Sequence, residues 1–170
     1  MPGLPLLNEE DSREFREILA EFLQASQASR VLIVERAGYL IAATGDAPDV
    51  DLEELSTITS NAFNVTYHLA LCLGEQDFST LHQRGSSFET LIFKIEENSL
   101  LVVIYATHIK TMIVENAASN AIDSIKTQLT IARSRSPGVE VDLADLDPHT
   151  ADTIFLKRPK VLSEEEKKET

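Results

Sequence analysis

The stretch Asp51–Gly74, DLEELSTITSNAFNVTYHLALCLG, carries two apolar stripes where a helix lying on a single sheet needs one. Leu55, Ile58, Ala62, Val65, Leu69 and Cys72 recur at steps of three and four residues, which aligns them along one side of a helix and predicts the side that covers a sheet. Phe63, Tyr67, Ala70 and Leu71 fall about 100° or more further round the axis, where a helix on the outside of a small monomer is normally polar. Asn61, Asn64 and His68 leave only a narrow wet strip between the two stripes. A second buried surface is therefore required, and a partner subunit supplies it most simply. The alternative is a loop, or the tail of a monomer, folded over the stripe.

The elements on either side follow from the same patterning. Asp11 and Glu14 stand at capping-box spacing ahead of Phe15, Ile18, Leu19, Phe22 and Leu23, so a helix is expected from near Ser12 to near Gln27. Val31–Val34, the turn Arg36-Ala37-Gly38 and the run Tyr39–Ala43 read as a hairpin whose first strand is covered on both faces, with Gly38 supplying a positive φ. Gly45-Asp46-Ala47-Pro48 leads into the long helix, which Asp51 caps. Phe78–Arg84 is a strand of weak hydrophobicity, which marks a sheet edge, with Phe78, Thr80, His82 and Arg84 on one face. Phe88–Glu96 and Leu100–Tyr105 complete a meander, the latter apolar throughout and hence central. Val114, Ala118, Ala121, Ile125, Leu129 and Ala132 define a last helix over about Ile109 to Arg133.

All of this patterning lies in residues 1–136. Residues 137–170 are mostly polar and charged, end in the run Glu164–Glu169, and are expected to form a flexible acidic tail. Within it, Ile154-Phe155-Leu156 beside Lys157-Arg158-Pro159-Lys160 admits two readings, a passive solubilising tail or a docking peptide. A net charge of −13 over 170 residues disfavours nucleic acid and anionic lipid as partners. No apolar run is long enough to span a membrane, and the amino terminus lacks the pattern of a signal peptide. The expectation is a cytoplasmic protein, not inserted in a membrane, whose partners are proteins or small molecules.

The motifs of chemistry are missing. His68, His82, His108 and His149 have no Cys or carboxylate at the spacing of a zinc site, and HExxH and CxxC do not occur. Neither a glycine-rich phosphate cradle nor GxSxG is present, so no catalytic, cofactor or metal residue is assigned and an enzyme is not expected. Cys72 and His68 stand one helical turn apart, but packing accounts for Cys72.

The order helix, hairpin, long helix, meander, long helix resembles the Roadblock/dynein light chain family, and particularly its bacterial MglB-like members. The residues that carry the likeness are REFREILAEFLQ, the hairpin VLIVERAGYLIAATGD and the strand pair FETLIFKIEENSLLVVIYA, so that it covers about Glu9 to Arg133. The resemblance implies an α+β fold, α-β-β-α-β-β-β-α, of roadblock/profilin-like type. Its five-stranded antiparallel sheet would have the long middle helix on one face and the first and last helices on the other. It further implies a twofold dimer joined through the middle helices and an edge strand of each sheet. Phe63, Tyr67, Ala70, Leu71, Phe78, Thr80 and His82 would then lie at the interface.

Such dimers bind Ras-like small GTPases as scaffolds, anchors or activators of hydrolysis. Arg36 and Arg84, as exposed arginines, and Phe155 in the tail are the candidate contacts with that partner, although Arg36 and Arg84 also read simply as solvated turn residues. Two other classes stay open. One is a nucleotide-independent, light-chain-like adaptor in a cytoskeletal or signalling assembly. The other is a sensor of a small ligand held between sheet and helix, which would need convergent polar groups that the apolar strands offer sparsely.

Overall fold

The computed structural model describes residues 5–46, 50–76 and 78–135. The first helix, α1 (Glu9–Ser26), begins a turn earlier than Asp11 would have set it. Asn8 is the cap, its Oδ1 accepting from the Asp11 N–H at 2.9 Å while the Asp11 carboxylate accepts from the Asn8 N–H at 2.9 Å. Asp11 is thus the second half of a capping box rather than the first. The helix closes at Gln27 in the left-handed conformation (φ 59°).

Two strands follow, β1 (Arg30–Glu35) and β2 (Leu40–Gly45), joined by the tight turn at Gly38 (φ +100°). The long helix α2 (Leu52–Cys72) is capped by Asp51, whose Oδ1 accepts from the Glu53 N–H at 2.9 Å. The meander is β3 (Thr80–Arg84), β4 (Phe88–Glu96) and β5 (Ser99–Ala106), and α3 (Thr111–Arg135) completes the described chain. The expected element order is therefore present, with boundaries displaced by about one to three residues.

All five strands form one antiparallel sheet in the order β2-β1-β5-β4-β3. β1 and β5 are interior strands and β3 is an edge, in line with their hydrophobic patterns. Side chains alternate between two cores. On one face Val31, Ile33, Leu91, Phe93, Leu101, Val103 and Tyr105 meet Phe15, Leu19 and Phe22 of α1 and Val114, Ala118, Ile125 and Leu129 of α3. On the other, Leu32, Val34, Ile92, Leu100 and Val102 meet α2 through Phe63.

Polar ties fix the first layer. The Asp11 carboxylate, fully buried, accepts from Gln128 Nε2 at 2.7 Å and pairs with Arg135, joining the start of α1 to the end of α3. Burial pushes the Asp11 carboxyl up, but hydrogen bonds from Asn8, Arg135 and Gln128 outweigh it and hold the group below its ordinary range. Arg133 makes a two-point pair with Glu96, which binds the last turn of α3 to β4.

Candidate functional site

The structure reverses the expected orientation of α2. Its inward residues are Ser56, Thr59, Ser60, Phe63 and Ala70, all buried. Hydroxyl groups can face a core here because each has a carbonyl to donate to: Ser56 Oγ to Leu52 O (2.7 Å), Thr59 Oγ1 to Leu55 O (2.7 Å) and Ser60 Oγ to Arg36 O. They are also small, and the β1–β2 turn comes close. A Cβ on Gly38 would stand 3.3 Å from Thr57 Cα. Phe63 is then the one large side chain that α2 sends fully into the sheet, and its ring packs 5.0 Å from Phe78.

The stripe expected on the sheet faces outward instead. Ile58, Val65 and Leu69 are 56 %, 70 % and 58 % exposed, and Ala62 and Cys72 are exposed beside them. Cys72 is therefore not the core residue its spacing suggested. Of this stripe only Leu55 is partly buried against the sheet. From Leu55 to Cys72 the helix has no Asp, Glu, Lys or Arg, in a chain that is 25 % charged. A helical stretch without charge, with Ile58, Ala62, Val65, Leu69 and Cys72 exposed along it, is unlike a solvated one.

The residues expected at an interface therefore divide. Phe63 and Ala70 are closed off inside the protomer, and Tyr67 is half-buried, so these side chains correct the expectation that their stripe pointed outward. Leu71, 45 % exposed, remains accessible. Phe78 lies just before β3 and packs under α2, on the sheet face opposite to His82, so the four residues Phe78, Thr80, His82 and Arg84 do not share one face. Thr80 and His82 are on the free edge strand, as expected. The contacts of Phe78 with Phe63 and Tyr67 bring that edge beside the carboxy-terminal half of α2.

The two arginines also differ. Arg36 is not a free turn residue. Its Nε donates to Asn64 Oδ1 at 2.9 Å, its Nη1 donates to Glu97 O at 3.2 Å, and its guanidinium lies 4.8 Å from the Tyr67 ring centre. Its own carbonyl accepts from Ser60 and from Asn64 Nδ2. Arg36 thus fastens the hairpin turn to α2. Glu97, within 3.9 Å of Arg36, is held below the ordinary carboxylate range first by the hydrogen bond from Lys94 at 2.6 Å. The Arg84 side chain is 71 % exposed, with its Nε 3.6 Å from Glu89. Phe155 and the tail 137–170 lie outside the described residues.

One cluster escaped the sequence reading. His82 Nε2 lies 2.6 Å from Glu89 Oε2 and 3.1 Å from the Tyr105 hydroxyl, which donates to the same Glu89 oxygen at 2.9 Å and stands 3.2 Å from Thr111 Oγ1. The hydrogen bond from His82 holds Glu89 low against the cost of its desolvation, helped by Tyr105 and Arg84. Burial raises Tyr105, with Glu89 adding to the effect. Cross-strand register could have shown it, because Glu89 stands opposite both Arg84 and Tyr105. Among the described residues, no group of three or more His, Cys, Asp or Glu side chains could hold a metal ion, and no helix is long and apolar enough to cross a membrane.

No curated protein sequence matches the chain. Among the solved structures that share its fold are the gliding protein MglB of Thermus thermophilus, MglB of Myxococcus xanthus, and an MglB with a tetrameric arrangement. Identities are 22 %, 20 % and 22 %, and TM-scores 0.69, 0.70 and 0.71. The matches span 76 %, 75 % and 78 % of this chain and 98 %, 96 % and 99 % of those proteins. The sequence profile of the Roadblock/LC7 domain matches residues 14–105, more than half of the chain. The protein belongs to the Roadblock/LC7 domain family.

Proposed function

We propose that this protein is a non-enzymatic homodimer that regulates or scaffolds a Ras-like small GTPase in the cytoplasm. The observation that carries the dimer is the uncharged, apolar outer face of α2 lying beside the unpaired edge of β3. A helix face and a sheet edge together suit a second copy of the same chain, because a twofold operation pairs each with itself. Two sheets would then run on as one, with the paired α2 helices on one side. The tetrameric arrangement of one MglB structure supports self-association as a habit of the fold.

The GTPase comes from family membership and from the MglB likeness, together with a surface built for protein contact rather than chemistry. Stimulation of hydrolysis would act by holding the catalytic segments of the GTPase in their reactive arrangement. Arg36 is occupied within the protomer, so Arg84 is the freer of the two candidate arginines. The tail 137–170 is proposed as a separate acidic segment, with Phe155 as its candidate contact.

Affinity capture with the purified protein, run in parallel with a non-hydrolysable GTP analogue and with GDP, tests the reading. A small GTPase enriched with the analogue alone is the expected result, and a hydrolysis assay on that pair separates activator from scaffold. The same non-GTPase partners in both lanes would retire the GTPase proposal and favour a nucleotide-independent adaptor.

A further inference from the structure

We propose that the segment Ile154–Lys160 docks on the groove between α1 and α3 of its own chain, with the Phe155 ring in the groove. Neither the dimer nor the GTPase is needed for it. The two helices run antiparallel, Asp11 at the start of α1 meeting Gln128 and Arg135 near the end of α3. Further along the pair Ala25, Ala117 and Ala121 bring little bulk to the seam, and a groove of about 170 Å³ opens there. Phe22 and Ala121, both buried, form its floor, and Ile18, Ala25 and Ala117 its walls.

Size and charge limit what the groove takes. A dry cavity of about 150 Å³ lined by aliphatic and aromatic side chains accepts one benzene ring, so this groove suits a single aromatic side chain rather than a helix or a strand. Its rim is acidic. Glu21 stands on it, Glu17 lies one turn earlier on α1, and Asp123 precedes Ser124, which lines the α3 side. An aromatic residue followed by cations is the complementary chemistry.

The sequence that follows α3 contains that combination. Phe155 is the only aromatic residue of 137–170, Ile154 and Leu156 flank it, and Lys157, Arg158 and Lys160 come directly after. In a chain of net charge −13, this run holds cations and no acid. The other apolar residues nearer α3, Val139, Val141, Leu143 and Leu146, are interleaved with Glu140, Asp142, Asp145 and Asp147, which an acidic rim repels. Reach allows the contact. From Ala121 to Arg135 α3 rises about 21 Å, and the chain between Arg135 and Ile154, drawn out, spans up to about 60 Å. Docked in this way, Phe155 is withheld from any partner that needs it.

The chain has no Trp, so Phe155→Trp places a single fluorophore at the site. Quenching by acrylamide measures its exposure in the full chain, with a synthetic peptide of residues 151–162 carrying the same substitution as the fully exposed reference. We expect quenching at least about twofold weaker in the chain than in the peptide, as for a ring removed from water. That protection should survive dilution from about 50 µM to about 0.5 µM, as an intramolecular contact does. Ala25→Arg, at an exposed helical position, fills the groove and adds a charge like that of the segment. Combined with Phe155→Trp it should bring quenching up to the value of the peptide, with far-ultraviolet circular dichroism unchanged. Glu21→Gln should take quenching part of the way. Quenching as strong in the chain as in the peptide, or protection that persists in Ala25→Arg, would overturn the inference. Protection lost on dilution would overturn the placement of the segment on its own chain.

Discussion

The two faces of the sheet are built by different rules. The face under α1 and α3 is closed with Phe15, Leu19, Phe22, Ile125 and Leu129, and charged residues such as Asp11 and Arg133 serve only to pin helix ends. The face under α2 is held by few large side chains, Phe63 foremost, with serine and threonine hydroxyls filling the close approach to the hairpin turn. Much of the apolar material of α2 is left outside. One layer of the molecule thus completes itself, and the other leaves hydrophobic surface exposed, which is the division the proposed dimer requires.

The largest test of this contrast falls on the single large anchor. Phe63→Ala removes a fully buried ring from a face with little else to replace it, and should cost about 3–5 kcal/mol in urea unfolding. Leu129→Ala, in the thicker core, should cost about 2–5 kcal/mol. A Phe63→Ala loss smaller than that of Leu129→Ala would contradict the reading of Phe63 as the main anchor of its face.

The ties on the first face make an acid prediction. The Asp11 carboxyl is depressed in the folded protein, so its contribution is present above its unfolded value, near 3.8, and is lost as the pH falls through the lower folded value. Asp11→Asn should lower stability at neutral pH by about 1–2 kcal/mol through the lost cap and ion pair, and should flatten the acid limb of the stability curve below about pH 4. Thermal unfolding from neutral pH to about pH 2.5 measures both effects. A smaller effect belongs to Ser60→Ala. Its hydroxyl donates to the Arg36 carbonyl, which also accepts from Asn64, so a loss of about 0.5–1.5 kcal/mol is expected with the turn still in place. Smallest of all, Val65→Ala and Leu69→Ala on the open face of α2 should each change protomer stability by less than about 0.5 kcal/mol in a urea titration dilute enough for the chain to be monomeric.

Element order, strand rank in the sheet and most boundaries were legible because period and turn chemistry report them directly: Val31–Val34 and Leu100–Tyr105 could only be interior strands, and Phe78–Arg84 only an edge. The facing of α2 was not legible. Hydrophobicity assigned the richer stripe to the sheet, but burial followed size and hydrogen-bond satisfaction, since Ser56, Thr59 and Ser60 donate their hydroxyls to carbonyls and can come close where Ile58 and Val65 cannot. Arg36 misled for a related reason. A turn arginine reads as solvated until Asn64 and Tyr67, one helix away, are known to receive it. The His82, Glu89, Tyr105 cluster spans three strands, and only their register joins it.

The most direct test of the α2 face is a mass. Sedimentation velocity at roughly 50 µM, far above the Kd of a typical stable interface, should find the natural chain as a dimer, and Val65→Asp with Leu69→Asp as a folded monomer whose far-ultraviolet circular dichroism is unchanged. A natural chain that sediments as a monomer, or a double variant that remains a dimer, would contradict the account.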